Sequence, residues 1–188
     1  MGMDFLIKHW VPYTRRCEPS FRLVSSDFVP KKTSPVSHAF DACNFSLILQ
    51  GRGFFHRRGV VHPVVAPCVI TQWPGEFVSY GPEPETWAEW YLVYSPDEFS
   101  RFCRLGYLDS ERPVWPVADP AGVQRLFAEF RSLTHSSDPG SVVDHVDRLA
   151  ERAILATHLA PPSRQRTRQP NPAGRRLAAC PPWWCGRF

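Results

Sequence analysis

The chain predicts a mostly β protein with added helices: an antiparallel sandwich or small barrel, followed by an α-helical hairpin. Three observations carry this. From Asn44 to Ser95, short β-branched and aromatic runs are punctuated by Gly and Pro at roughly ten-residue spacing, the pattern of antiparallel strands joined by turns. After Ser95 the apolar residues switch from alternation to helical spacing. At 43% hydrophobic and 13% aromatic, the 188 residues can fill one core.

The elements follow in order. Residues 1–40 carry apolar patches at Phe5-Leu-Ile, Phe21-Arg-Leu-Val and Asp27-Phe-Val, separated by Pro12, Pro19, Pro30 and Pro35. They read as an arm and one or two short strands joined by turns. Phe45-Ser-Leu-Ile-Leu-Gln is a strand that stops at Gly51. Gly51-Arg52-Gly53 is a tight turn rather than a nucleotide loop, because His56 stands where a third glycine is needed and no helix follows. Phe54-Phe55-His56 and Val60-Val61-His62 form a hairpin across Arg57-Arg58-Gly59. Cys68 to Trp73 and Glu76 to Tyr80 are strands joined by the turn Pro74-Gly75.

Thr86 to Ser95 is the longest expected strand. Trp87, Glu89, Tyr91 and Val93 lie on one face, and Ala88, Trp90, Leu92 and Tyr94 on the other. Both faces are mostly apolar, so both should be covered. Glu89 stands out as a carboxylate between two large aromatics. It is either a fixed polar group in an aromatic-walled ligand surface, or a solvated or Arg-paired group at a barrel mouth.

Ser95-Pro96-Asp97-Glu98 has the form of a helix start, with Ser as cap and Pro at the first helical position. Phe99, Phe102 and Cys103 form the inner face of this helix, and Gly106 ends it. Asp119-Pro120 opens a second helix with Val123, Leu126, Phe127, Phe130 and Leu133 on one side. Asp138-Pro139 opens a third, with Val142, Val146, Leu149, Ala153 and Ala156 on one stripe and Val143, Ala150 and Ile154 beside it. The short link makes the second and third an antiparallel hairpin. Their apolar stripe either caps the barrel or packs against a second subunit. Three segments result: arm and barrel over 1–95, helices with the hairpin over 96–160, and a tail over 161–188.

Charge sharpens this division. The formal net charge is +4, but six of the 22 basic residues lie in 161–188, which has no Asp or Glu. The remaining 16 face 18 acidic residues, so the body is close to neutral and does not read as a nucleic-acid surface. The tail is Pro- and Arg-rich without amphipathic period, and is expected to be disordered. The six cysteines form no C-x-x-C pair and read as reduced thiols. No apolar run is long enough for a membrane span, and the N-terminus lacks a secretory segment, so a cytoplasmic location is expected.

The strand Phe45–Gln50 with Gly51-Arg52-Gly53, the hairpin at Arg58-Gly59, Trp73-Pro74-Gly75-Glu76, Tyr80-Gly81 and the run from Trp87 to Pro96 together resemble one known family. Their order and spacing over roughly residues 40–160 are similar to the ligand-sensing, cupin-like (double-stranded β-helix) N-terminal domain of AraC-type bacterial transcription regulators. That resemblance implies a small-molecule effector in the barrel, often a sugar, and a homodimer through the C-terminal helices. It also implies a separate C-terminal domain with two helix-turn-helix units that binds DNA. No such pattern follows residue 160, although Pro172-Ala-Gly-Arg-Arg-Leu-Ala-Ala resembles its run-in; a truncated or frameshifted product is the expectation. The family's Pro-Gly-Asp is here Ala66-Pro67-Cys68-Val69, and Val78-Ser79 stands where a His is common. Lys32 and His38 are the nearest substitutes for the Arg that some sugar-binding members use.

On this reading the ligand-binding residues are Trp87, Glu89, Tyr91, Tyr80 and His38, and the dimer interface is Val142, Val146, Leu149 and Ala153. No catalytic residue, metal or cofactor is expected. The alternative, a metal-dependent cupin dioxygenase or isomerase, needs a His-x-His pair, and the chain has none. Its nearest candidates, His56 and His62, lie across a hairpin.

Overall fold

The computed structural model describes residues 8–160. Ten strands build two antiparallel sheets. The first contains β1 (Lys8–His9), β2 (Leu23–Lys32), β9 (Trp87–Tyr94), β4 (Cys43–Gln50), β7 (Cys68–Gln72) and β10 (Val114–Pro116), in that spatial order. The second contains β3 (Val36–Ala39), β8 (Phe77–Pro82), β5 (Arg52–Arg57) and β6 (Val60–Val65). Gly51 permits a crossing between the sheets: its φ is 95°, and an added Cβ would lie 2.6 Å from the Thr86 carbonyl oxygen.

Between the sheets lies a core of Ile48, Phe55, Val64, Cys68, Ile70, Val78, Tyr80 and Trp87. A larger core forms on the outer face of the first sheet. There Phe45, Leu47, Val69, Trp90, Leu92 and Tyr94 meet the helices α1 (Phe99–Arg104), α2 (Pro120–Thr134) and α3 (Pro139–His158). The aromatic strand β9 therefore feeds both cores, as the alternation of its side chains requires. The second core runs across residue 95, joining barrel and helices, and β10 returns to β7 from within the helical segment.

Both hairpin helices begin as their sequence directs. Asp119 accepts a hydrogen bond from Gly122 N–H, and Asp138 from Ser141 N–H, each followed by Pro at the first helical position. The Ser95 start differs from expectation. A 3₁₀ turn, Pro96–Glu98, precedes α1, and the Ser95 side chain makes no capping bond.

The expected dimer stripe needs correction. Val146, Leu149 and Ala153 are buried inside the single chain, and Val142 is half-buried beside them. The outer face of the first sheet is itself apolar, so it consumes the stripe of α3 and leaves none of these three side chains for a second subunit. The outward side of α3 instead shows Ser141, His145, Arg148 and Arg152.

One buried ion pair fixes the N-terminal segment to α3. Asp147 and Arg15 have side-chain exposures of 0% and 4%. Arg15 Nε donates to Oδ2 and Nη2 to Oδ1 of Asp147, while its remaining N–H groups reach the carbonyls of Trp10, Tyr13 and Leu23. All five guanidinium donors are thus used. Leu23 N–H completes the carboxylate, and Asp144 accepts from the backbone of Arg16 and Cys17.

Candidate functional site

Inward-facing side chains can be read from strand register. Trp87, Glu89, Tyr91 and Val93 of β9 stand opposite Ile48, Ser46 and Asn44 of β4 on one side, and Lys32, Val29 and Asp27 of β2 on the other. Asn44 in turn faces Gln72 of β7. In the second sheet, Tyr80 of β8 stands between Val36 and Phe55.

Glu89 is 1% exposed, and its charge is met from β2. Lys32 Nζ lies 2.8 Å from Glu89 Oε2, and Trp87 Nε1 donates to the same oxygen at 3.1 Å. The Lys32 ammonium also sits 4.4 Å from the centroid of the Tyr80 ring and 5.9 Å from that of Trp87. These two rings are near parallel, with centroids 6.3 Å apart. The choice of Lys32 over Lys31 comes from a register shift: Val29 faces Glu89, yet Lys32 faces Trp87, so β2 carries one extra residue there. Pro30, which cannot donate to a ladder, sits within that shift.

Both hydrogen bonds to Glu89 fall on one oxygen, and among the described residues none reaches Oε1. Further along the same inward face, Asn44 Oδ1 and both amide atoms of Gln72 are buried without a partner, while Ser46 Oγ has the Tyr80 hydroxyl beside it. Buried polar atoms are ordinarily paired, so this concentration marks unused hydrogen-bonding capacity. Burial pushes the Tyr80 hydroxyl pKa well above its usual value, and the Glu89 charge adds to the effect. Tyr91, half-buried, is pushed up to about 12 by burial and by the charges of Asp27 and Glu89.

Of the residues expected from sequence, Trp87, Glu89 and Tyr80 come together, and Tyr91 shares their face. His38 does not join them. It is exposed on β3, its Nδ1 2.7 Å from the Ala39 carbonyl, and it stacks on Phe40, which separates it from Tyr80. Lys32, Asn44, Ser46 and Gln72 are the additions.

Outside this face Arg57 Nε, Trp90 Nε1 and the Tyr94 hydroxyl are also buried without a partner, while other polar groups are engaged. Glu76 receives Arg57 and Arg58, whose hydrogen bonds outweigh burial and hold its carboxyl below the usual range. Arg57 also lies over the Trp73 ring and donates to the Ser110 carbonyl. A surface cavity of about 720 Å³ lies outside the barrel, beside β10 and the end of α3. Its Trp115 Nε1 is bonded to Thr157 and its His158 to the Tyr107 carbonyl. His56 and His62 oppose Val61 and Phe55 respectively, which places them on opposite faces of the second sheet. Among the described residues no three His, Cys, Asp or Glu side chains are grouped to hold a metal.

A cupin-like barrel with helices packed on one sheet, an aromatic-walled interior and one paired carboxylate belongs to the class of small-molecule-binding barrels. The AraC-like ligand binding domain matches residues 19–150, and the chain belongs to that family. Among curated proteins no sequence matches. Similar solved structures include the ethanolamine utilization protein Q of Salmonella typhimurium LT2, at 12% identity and TM-score 0.34 over 38% of this chain and 58% of that one. The EutQ protein of Clostridium difficile is similar at 14% identity and TM-score 0.35, over 40% of this chain and 59% of that one. A cupin 2 conserved barrel domain protein from Salinispora arenicola is similar at 18% identity and TM-score 0.32, over 43% and 69%. The chain thus spans under two thirds of the length of the first two.

Proposed function

We propose that this chain is the effector-sensing part of an AraC-type transcription regulator, with a small neutral hydroxylated molecule, a sugar above all, as the effector held inside the barrel. The observation that carries this reading is the free Glu89 Oε1 on the same inward face as the unpartnered Asn44 and Gln72 side chains. Lys32 already neutralises Glu89, so the donors and acceptors around it carry no unpaired positive charge. An anionic ligand would lose its hydration there without finding an unpaired counter-ion. Hydroxyl groups would both donate to Glu89 and accept from the Gln72 amide, and an indole face suits the apolar face of a sugar ring.

Signalling on this reading is a population shift: the effector favours one arrangement of the N-terminal segment or helices by binding it more tightly. DNA contact belongs to a further domain, as the family resemblance implies. The chain works in the cytoplasm and is not an enzyme on this reading, consistent with the dispersed His56 and His62. Among the described residues no helix is long and apolar enough to cross a membrane. A homodimer is also part of the proposal, through a surface that excludes Val146, Leu149 and Ala153; sedimentation velocity tests it.

Calorimetry with aldopentoses and aldohexoses, against the corresponding aldonic acids, tests the effector. Binding of a neutral sugar that weakens at least tenfold in Glu89→Gln supports the reading. Equal binding by the variant removes the barrel site. Stoichiometric iron or manganese in the purified protein would instead favour a cupin enzyme.

A further inference from the structure

A second cavity, outside the barrel, lies between the outer face of the first sheet and α2. Its volume is about 190 Å³. Phe28, Trp90, Phe127 and Phe130 wall it, and Ser26, Asp27, Lys8 and Arg131 are among its polar lining. The rings are in mutual contact: Phe28 and Trp90 lie 4.6 Å and 5.2 Å from Phe127, and Phe130 lies 5.0 Å from Trp90, centroid to centroid.

Two features point to an occupant. The first is the Trp90 indole N–H, which is buried and has no acceptor, although Trp90 is only 1% exposed. The corresponding donor on neighbouring Trp10 is satisfied by Ser26 Oγ. The second is Arg131. Its guanidinium lies over the Phe28 and Phe127 rings, at 5.4 Å and 5.8 Å, and among the described residues no carboxylate pairs with it. The Trp90 ring and the Arg131 guanidinium therefore meet at the same phenyl group, Phe127. Lys8 adds a second cation. Asp27 is the one acidic residue of the lining, but its side chain shares the inward face of the sheet with Tyr91, and its Oδ1 accepts from Phe28 N–H.

We propose that this cavity binds a small aromatic monocarboxylate. One carboxylate oxygen accepts the Trp90 N–H and the other meets Arg131, while the ring lies among the phenyl groups. Charge-assisted hydrogen bonds to a carboxylate are the strong kind, and a guanidinium suits both its shape and charge. The size agrees, since an apolar cavity of about 150 Å³ admits benzene. Such a ligand touches β2, β9 and α2 together, so it would act on the helices directly rather than through the barrel. The site goes beyond the barrel effector and does not depend on it.

Benzoate added to the full-length protein tests this by ¹H–¹⁵N NMR of the indole groups, with the Trp90 signal assigned from Trp90→Phe. The Trp90 signal should move saturably with benzoate. Arg131→Gln, at an exposed position, should raise the benzoate Kd at least tenfold, and benzamide should bind at least tenfold more weakly than benzoate. Glu89→Gln should leave benzoate binding unchanged. The proposal is overturned if benzoate moves no indole signal or moves that of Trp87 instead. It is equally overturned if Arg131→Gln binds benzoate as the parent does, or if Glu89→Gln abolishes binding.

Discussion

Two buried carboxylates, Asp147 and Glu89, sit in opposite circumstances. Each is almost fully buried, and each is paired with one cation brought from the N-terminal part of the chain. Asp147 is closed: both oxygens are bonded, and every N–H of Arg15 finds an acceptor. Glu89 is half open, with one oxygen holding both Lys32 and Trp87. A closed pair holds structure in place, whereas an open pair keeps capacity for something that comes and goes. Burial alone does not distinguish them; the tally of unused donors and acceptors does.

This contrast can be broken by substitution. The largest effect should come from Asp147→Asn, which leaves Arg15 buried without a counter-charge and should cost about 3–5 kcal/mol. Urea unfolding measures it, and a loss no greater than that of Glu89→Gln would erase the distinction. Val146→Asp should cost about 3 kcal/mol by placing an unpaired charge in the core between α3 and the sheet. It should lower the urea midpoint rather than convert a dimer into folded monomer. Glu89→Gln should cost less, about 1–2 kcal/mol, because Lys32, unlike Arg15, keeps some contact with solvent and sits over the Tyr80 ring. Gln72→Leu should change stability by under about 1 kcal/mol in either direction, since removing an unpartnered amide relieves a desolvation penalty. Its effector response by calorimetry should nevertheless fall; an unchanged response would show that Gln72 faces no ligand.

The smallest effect is a pH dependence. Tyr91 is raised to about 12 from an ordinary 10.0, so the folded state holds this proton more tightly than the unfolded state. The stability linked to it is complete below pH 10 and is lost as pH rises toward 12. Tyr91→Phe should flatten that part of a stability–pH curve. Its exposure to solvent screens the Asp27 and Glu89 charges and keeps the contribution modest.

Much of the architecture was legible because it depends on local pattern. Alternation placed Trp87, Glu89 and Tyr91 on one face, and Asp-Pro pairs at 119 and 138 marked true helix starts. What could not be read depends on distant partners. The Val114–Pro116 strand is short, ends in Pro and lies among helices, and only pairing with β7 makes it a strand. Periodicity showed that α3 has an apolar stripe but not that the sheet covers it. The partner of Glu89 lies 57 residues away and reaches it only through an extra residue in β2. Pro30 was the available signal for that irregularity.

Strand β9 presents Trp87 and Glu89 to the barrel interior and Trp90, Leu92 and Tyr94 to the helical core. On the proposed reading one stretch of backbone answers to recognition and to folding at once, and neither face can drift freely. Diversification of specificity in descendants of this chain would then fall on β4 and β7. There Asn44 and Gln72 can be exchanged with little damage to the helical core. Libraries aimed at a new effector should randomise these two positions and leave the aromatic strand untouched.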